Sequence, residues 1–320
     1  MTTTDTTLAV HAHGLKRAFG ANLAVDGLDL EIARGQMFAL VGPDGAGKST
    51  AIRLLCGLLK PDAGDATILG FDLAQAPEQI KQRIGYLSQN FTLYGDLTVD
   101  ENIEFFADIH GVRGFRGRRD ELLEFTRLTP FRKRLAQALS GGMKKKLALA
   151  CTLIHTPELI FLDEPSTGVD PISRGEFWNI LSGILDHGVT IFMTTPYLDE
   201  AERCHRITLM HRGHGVMTGT PAEVKQRMPG RVLRIHCARP LEACRHLRRE
   251  WPPTRLVLTG DRLQFWTNAV GDSELRPLLA SLERAGFGPA TAAPVEPSLE
   301  DAFIALLGTA PPQSGSAPSV

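Results

Sequence analysis

Eight consecutive residues, Gly42-Pro-Asp-Gly-Ala-Gly-Lys-Ser49, have the types and spacing needed to hold a polyphosphate, the pattern GxxxxGK[ST]. Glycines let successive backbone N–H groups turn toward phosphate oxygens, and the start of a following helix adds positive potential. Lys48 supplies a cation for the terminal phosphates, and the Ser49 hydroxyl is a ligand for Mg²⁺. The segment predicts a nucleotide-binding loop made of Gly42, Pro43, Asp44, Gly45, Ala46, Gly47, Lys48, Ser49 and Thr50.

Two adjacent carboxylates, Asp163 and Glu164, follow the apolar run Leu159–Leu162. Open α/β sheets bind their ligands at the carboxyl ends of strands, which is where this pair would lie. Asp163 is suited to hold a metal ion through water, and Glu164 to polarise an attacking water. A pair that merely caps a helix is the alternative interpretation. Together with the phosphate-binding loop, the pair predicts phosphoanhydride hydrolysis.

A second anion-binding element is predicted at Leu139-Ser-Gly-Gly-Met143. A serine hydroxyl and glycine N–H groups at the start of a helix form a site for an anion. One chain would then carry two phosphate-binding elements, which makes sense if each nucleotide is sandwiched between two protomers. The predicted contacts are Ser140, Gly141, Gly142 and Met143.

With these motifs in this order, the chain resembles an ATP-binding-cassette (ABC) ATPase over residues 8–220, and LSGGM is close to the LSGGQ signature of that family. The resemblance implies an α/β P-loop NTPase fold, in which a RecA-like core carries a β-subdomain and an inserted helical subdomain. It implies ATP and Mg²⁺ as ligands. Gln89 would be a metal and catalytic residue, Phe19 would stack on adenine and Asp170 would lie at the dimer interface. The family usually has Tyr at the position of Phe19.

Further stretches, among them the terminal PSLEDAFIALLG, resemble drug-resistance ABC export ATPases of the daunorubicin-exporter type. The resemblance implies a subunit on the inner face of the cell membrane that drives separate permease subunits, with no role for nucleic acid. It also implies a dimer, formed either with a second copy or with another ABC ATPase.

Pro196, in the stretch TTPYLDEAE, occupies the position where this family normally has a histidine that contacts the γ-phosphate. As to structure, proline suits the first position of a helix, and a helix is predicted over Tyr197–Cys204. As to function, the chain is either a slow ATPase that relies on Glu164 and Lys48, or an ATP-binding, hydrolysis-poor half of an asymmetric pair. The second possibility is supported by similarity to the first cassette of bacterial tandem-ATPase exporters. A soluble ABC protein acting on DNA or the ribosome is a third, less favoured hypothesis.

The elements that must position these residues alternate between strand-like and helical patterns from residue 8 to 222, as in an α/β domain. Helical patterns dominate at about 90–140, which predicts the inserted subdomain. Capping-box patterns begin at Thr98 and at Ser173, and the basic run Gly111–Arg119 is interpreted as a solvated loop. Residues 223–308 are predicted to form a small α+β accessory domain, and 309–320 a disordered tail.

The composition fits a soluble intracellular protein. The 320 residues are 43% hydrophobic and 22% charged, and the formal net charge of −1 gives no field that favours nucleic acid. No apolar run reaches the roughly 18 residues of a membrane span, and residues 1–14 lack a signal-peptide pattern. The five cysteines show no metal-ligand spacing and are expected to be reduced thiols.

Overall fold

The computed structural model describes residues 7–90, 93–269 and 271–309. They form two compact units with a boundary between Thr218 and Gly219, where the sequence predicted one between residues 222 and 223. The predicted tail, 309–320, lies outside the described residues except for Thr309, which ends the last helix. Within the described ranges, none of the helices combines the length and apolar composition needed to cross a bilayer.

The first unit combines two sheets with helices between their strands. In chain order its elements are β1 (Leu8–Phe19), β2 (Asn22–Ala33), β3 (Met37–Val41), α1 (Lys48–Leu55), β4 (Ala63–Ile68), β5 (Phe71–Asp72), α2 (Pro77–Lys81), β6 (Ile84–Leu87), α3 (Val99–Ile109), α4 (Arg116–Phe125), α5 (Gly141–Leu153), β7 (Leu159–Asp163), α6 (Pro171–Asp186), β8 (Thr190–Thr195), α7 (Leu198–Ala201), β9 (Arg206–His211) and β10 (His214–Gly219).

A six-stranded sheet in the order β10-β9-β3-β8-β7-β6 forms the centre of this unit. The pairs β9/β3, β3/β8, β8/β7 and β7/β6 are parallel. Strands β3, β7 and β8 are buried along their whole length, which explains why they appear in the sequence as continuous apolar runs. Because parallel strands end at the same edge, the residues that follow β3, β7 and β8 meet there.

An antiparallel sheet in the order β2-β1-β4-β5 lies in the same unit. The alternating buried and exposed residues of β1 and β2 are typical of strands with one face packed on a core. Side chains from this sheet join those of α1 and of the six-stranded sheet in one hydrophobic cluster. The strand β1 ends at Phe19, so the fold of this sheet positions that ring.

The helical region between β6 and β7 contains α3, α4 and α5. The predicted capping box forms at α3, because Thr98 Oγ1 accepts the Glu101 N–H and Glu101 Oε2 accepts the Thr98 N–H. The interpretation of Gly111–Arg119 as a loop is wrong at its end, since α4 begins at Arg116. Burial of Leu122 and Leu123 on α4 supplies the packing that extends the helix into the basic run.

Two helix starts differ from the predictions. The box predicted at Ser173 does not form, because Asp170 caps α6 and Glu176 instead accepts a hydrogen bond from Lys146. The helix predicted over Tyr197–Cys204 is shorter, and Pro196 lies before its N-cap, Tyr197, rather than at its first position. The Tyr197 N–H donates to Thr195 Oγ1, and this turn delays the helix.

The second unit has the elements α8 (Pro221–Gln226), β11 (Arg231–His236), α9 (Pro240–Leu247), β12 (Leu256–Thr259), β13 (Arg262–Thr267), α10 (Leu275–Arg284), β14 (Thr291–Val295) and α11 (Leu299–Thr309). Its sheet has the order β12-β13-β11-β14, and each pair is antiparallel. A βαββαβ chain with this strand order is a ferredoxin-like arrangement. Its hydrophobic core is formed by residues of this unit alone.

Candidate nucleotide site

The loop between β3 and α1 is built around two glycines that no other residue could replace without moving the backbone. A Cβ at Gly42 would lie 2.1 Å from the Met210 carbonyl oxygen, and one at Gly47 would lie 2.1 Å from the Ala24 carbonyl oxygen. Gly47 also has a φ of 105°, which L side chains rarely adopt. The loop therefore follows a tight path against β2 and β9 and delivers Lys48 as the first residue of α1.

Lys48 is buried at the centre of the site. Its Nζ donates to the Gly42 carbonyl at 2.8 Å and to the Pro43 carbonyl at 3.1 Å, and it lies 3.2 Å from Glu164 Oε1. A buried ammonium group needs such partners, because desolvation of the charge is costly. The contacts link the phosphate-binding loop to the end of β7.

Asp163 and Ser49 form a candidate site for a divalent cation. Asp163 Oδ1 accepts hydrogen bonds from Ser49 Oγ at 2.9 Å and from Thr194 Oγ1 at 2.7 Å. Asp163 Oδ2 is buried and has no hydrogen-bond partner among the described residues. A buried carboxylate oxygen without a partner, beside a serine hydroxyl, fits the oxygen ligands and retained water shell of Mg²⁺. These residues would hold the ion directly or through water.

Glu164 follows β7 with a φ of 46°, a strained value for a residue that is not glycine. Its N–H donates to the carbonyl of Thr194 at 3.2 Å and to its Oγ1 at 3.0 Å. The carboxylate Oε2 accepts from Gln89 Nε2 at 3.0 Å and from Thr167 Oγ1 at 3.3 Å. The carboxylate is therefore fixed between Lys48, Gln89 and Thr167.

A cavity of about 500 Å³ opens above these groups. At its margin lies Phe19, which is 47% exposed and whose ring centroid lies 5.0 Å from the Arg17 guanidinium. Such a ring offers a free face on which a base could stack. The predicted residues that line the cavity are Phe19, Asp44, Gly45, Gly47, Lys48, Ser49, Thr50, Gln89 and Glu164.

Other residues in or beside the cavity were missed by the sequence prediction. The cavity is also lined by Asn22, Ala24, Thr167 and Tyr197. Thr194 Oγ1 forms hydrogen bonds with both carboxylate residues, donating to Asp163 Oδ1 and accepting the Glu164 N–H. The only available signal for Thr194 was its place at the end of an apolar run, since β8 pairs with β7 and sets Thr194 beside Asp163. Of the predicted loop residues, Gly42, Pro43 and Ala46 support the loop without lining the cavity.

Pro196 lines the same cavity, directly after β8. The turn is held by buried groups around it: Thr195 Oγ1 donates to Glu200 at 2.7 Å, and Ser166 donates to the other oxygen of that carboxylate. Proline offers neither a side-chain donor nor a backbone N–H to the cavity. Pro196 therefore cannot donate a hydrogen bond to a group bound in the cavity.

The signature residues and Asp170 are not among the residues that line this cavity. Ser140 caps α5, where its Oγ accepts the Met143 N–H at 3.3 Å. Asp170 caps α6 by accepting the Ser173 N–H at 3.0 Å, and this hydrogen bond lowers the pKa of Asp170. The prediction that these groups serve a second protomer stays a prediction.

Comparisons with known proteins agree on one family. A profile described as "ABC transporter" matches residues 25–167. The chain is 42% identical over 219 residues to "Probable multidrug ABC transporter ATP-binding protein YbhF" of Escherichia coli (strain K12), a match that covers 68% of this chain and 38% of that protein. It is 35% identical over 306 residues to "Daunorubicin resistance ATP-binding protein DrrA3" of Streptomyces coeruleorubidus, which covers 94% of this chain and 96% of that protein.

The fold agrees with solved structures as well. A chain described as "Structure of ATP binding subunit of ABC transporter" superposes with a TM-score of 0.62 at 29% identity, covering 68% of this chain and 92% of that one. The predicted α/β P-loop fold is confirmed by this match. The chain spans less than two-fifths of the length of YbhF and nearly the whole length of DrrA3.

Proposed function

Because the chain belongs to the ABC transporter family of ATP-binding proteins, we propose that it binds and hydrolyses ATP to power an exporter. The observation that carries this proposal is the fixed Glu164 carboxylate, within contact of the buried Lys48 and above the Ser49–Asp163 pair. A protein that only bound a nucleotide would not need a strained, hydrogen-bonded carboxylate at that point.

Binding rests on the loop and on α1. The N–H groups of the loop and of the first turn of α1 can surround phosphate oxygens, and Lys48 Nζ would exchange its two carbonyl acceptors for phosphate oxygens. Phe19 would stack on the base with the face that Arg17 does not cover. The hydroxyl of Ser49, the carboxylate of Asp163 and the amide oxygen of Gln89 would hold Mg²⁺, which supplies charge neutralisation for the phosphates.

Hydrolysis rests on Glu164. A water placed near Oε1 or Oε2 would donate a proton to this carboxylate as it attacks, and the strained backbone holds the group at that place. Gln89 and Thr167 orient Oε2, and Lys48 orients Oε1. Each of these contacts acts on the carboxylate, so the loss of Glu164 should remove turnover while binding persists.

Pro196 should make this hydrolysis slow. It lines the cavity where a histidine would donate to the terminal phosphate, and it has no donor to offer. Loss of one oriented donor to a transition state costs on the order of 3 kcal/mol, or about a hundredfold in rate. The same observation supports the second candidate function, in which the chain is the ATP-binding but hydrolysis-poor half of a heterodimeric exporter.

The proposed partners follow from the relatives. Proteins named for multidrug transport and for daunorubicin resistance are similar to this chain, which supports export as the process that it serves. We propose that it works at the inner face of the cell membrane, joined to separate permease subunits and paired with a second cassette. The signature residues at the start of α5 would then complete the site of the other cassette.

The test is phosphate release from Mg-ATP by the purified chain. We expect slow release that Glu164→Gln abolishes and Pro196→His accelerates by about ten- to a hundredfold. Pro196→Ala is the matched control, because it restores a backbone N–H without adding an imidazole, and it should not accelerate release. ATP binding without any release that depends on Glu164 would favour the binding half of a heterodimer.

A further inference from the structure

Three consecutive lysines on α5, which follow the signature residues, have three different surroundings. Lys146 is buried and donates to Glu176 on α6. Lys144 is partly exposed, and among the described residues its side chain has no hydrogen-bond or ion-pair partner, whereas its backbone N–H donates to the Ser140 carbonyl at 2.9 Å. Lys145 is partly buried, and its Nζ donates to the backbone carbonyl of Gln89 at 3.0 Å. The helical rotation of about 100° per residue directs the three side chains to different neighbours.

Gln89 is the point where two cavities of the first unit meet. It lines the nucleotide cavity and also a second groove of about 560 Å³. That groove runs along α5 and is lined by Gly141, Lys144 and Lys145. Gln89 therefore contacts Glu164 through its side chain, and its backbone carbonyl accepts a hydrogen bond from Lys145 of the helix α5, which begins with the signature residues.

The contacts form a continuous path across the unit. The Lys145 ammonium holds the Gln89 backbone, the Gln89 amide donates to Glu164 Oε2, and Lys48 Nζ lies 3.2 Å from Glu164 Oε1. Lys145 lies only four residues after Gly141, within the same helix, so a shift of the start of α5 moves the lysine with it. The hydrogen bond has a charged donor, and such bonds are stronger than those between neutral groups.

We infer that Lys145 is a positioning residue that ties the signature helix to Gln89 and so sets the orientation of Glu164. This inference rests on the proposed hydrolysis, and it adds a regulatory link to that site. A nucleotide phosphate bound at the start of α5 would be sensed at the Glu164 of the same chain through Lys145 and Gln89. Lys144, one residue away in the same groove, takes no part in the link.

The first experiment measures kcat and the dissociation constant of Mg-ATP for Lys145→Met, which keeps the stem and removes the ammonium. We expect kcat to fall about tenfold while the dissociation constant changes less than about twofold, since a charge-assisted hydrogen bond acts on Gln89 and not on the phosphates. Lys144→Met is the matched control and should change neither quantity. Lys145→Arg should restore kcat, because a guanidinium can also donate to the carbonyl.

A double-mutant cycle separates positioning from simple charge. Lys145→Met combined with Gln89→Ala should have the kcat of Gln89→Ala alone, since both changes break the same path. Additive losses would show that Lys145 acts by its charge near Asp163 and Glu164, and that result would overturn the inference.

Amide hydrogen exchange gives a readout that needs no turnover. In the full chain, Lys145→Met should speed exchange in the peptide 84–90 by about tenfold and leave the peptide 37–55 unchanged. If the wild-type chain shows no release that depends on Glu164, the proposed hydrolysis fails, and this measurement alone decides whether the link exists. Equal exchange in Lys145→Met and Lys144→Met would disprove the link.

Discussion

Gly47 and Gly45 show how closely single residues of the phosphate loop are constrained. Both have positive φ, at 105° and 77°, so a side chain at either position strains the backbone. They differ in their surroundings. A Cβ at Gly47 would meet the Ala24 carbonyl oxygen at 2.1 Å, whereas one at Gly45 would meet nothing within 4 Å. Glycine is required at position 47 by the close approach of the Ala24 carbonyl, and at position 45 only by the positive φ of the backbone.

Gly47→Ala should therefore cost more than Gly45→Ala. We expect Gly45→Ala to lower the free energy of unfolding by about 1 kcal/mol, the cost of strain. Gly47→Ala should lower it by more than about 2 kcal/mol and weaken ATP binding severely, because β2 or the loop must move. Urea unfolding and isothermal titration with Mg-ATP measure the two effects. Similar values for both variants would contradict the close approach to Ala24.

At the scale of elements, the start of α5 combines an exposed glycine with an ordinary helical backbone. A Cβ at Gly141 would meet nothing within 4 Å, and its φ is not in the positive range. The same holds for Gly117 in the first turn of α4. Either position can accept an aspartate, whose charge is favourable near a helix N-terminus. A functional effect of that change would then come from what binds there and not from the fold.

Gly141→Asp should leave the free energy of unfolding within about 0.5 kcal/mol of the wild type. It should lower ATP hydrolysis at least about a hundredfold, since a carboxylate would repel the phosphates that the signature residues are proposed to contact. Gly117→Asp provides the matched control and should change neither stability nor phosphate release. Full activity in Gly141→Asp would argue against a phosphate contact at the start of α5.

His155, which follows α5, is a partly buried base next to β6. Burial and the neighbouring His110, whose ring centroid lies 3.9 Å away, lower the pKa of His155 to about 4. Its Nε2 lies 2.9 Å from the Ile84 carbonyl oxygen, which fits a neutral ring that donates to β6. The folded pKa lies below the ordinary value of 6.5, so the unfolded chain binds the proton more strongly. This residue's contribution to stability is complete above pH 6.5 and is lost as the pH falls toward 4.

His155→Gln should flatten the pH dependence of stability in that window. One proton changes the free energy of unfolding by at most about 1.4 kcal/mol per pH unit. As the pH falls below 6.5, the free energy of unfolding of the variant should therefore rise steadily relative to that of the wild type. Urea unfolding at pH 7.5, 6.0 and 5.0 measures it. A constant difference between the His155 variant and wild type at all three values would refute this assignment.

At the scale of the whole molecule, each unit has its own hydrophobic core. Phe38 is fully buried in the cluster of the first unit, and Phe265 is fully buried in the cluster of the second. Removing such a ring leaves a cavity and costs about 3–5 kcal/mol. Separate cores should give separate unfolding transitions, because cooperativity follows shared packing.

Phe265→Ala should therefore lower the midpoint temperature of the transition in which the second unit unfolds, and leave that of the first unit unchanged. Phe38→Ala should lower only the midpoint temperature of the first unit. Mg-ATP provides a second criterion, because it should raise only the midpoint temperature of the first unit, which contains the nucleotide site. Differential scanning calorimetry of the full chain measures both effects. A single transition that both variants lower equally would mean that the two units unfold together.

The sequence by itself determined the parts of the site that are contiguous in the chain. The phosphate loop, the Asp163–Glu164 pair and the serine at the start of α5 each depend on a strand, a turn and a helix of fixed local geometry, which their spacing reveals. The capping box at Thr98 was predictable for the same reason. The pattern at Ser173 was not, because the carboxylate of Glu176 binds Lys146 from another helix.

Only the tertiary structure decided which distant groups meet. Thr194 contacts Asp163 and Glu164 because β8 pairs with β7 in a register that sets Thr194 beside Asp163. Lys145 reaches Gln89 because α5 packs beside β6, the strand that precedes Gln89. The place of Pro196 before its helix depends on Thr195, and the ferredoxin-like order of the second unit depends on strand pairing. These contacts join residues far apart in the chain, so packing and pairing select them, and no local spacing encodes them.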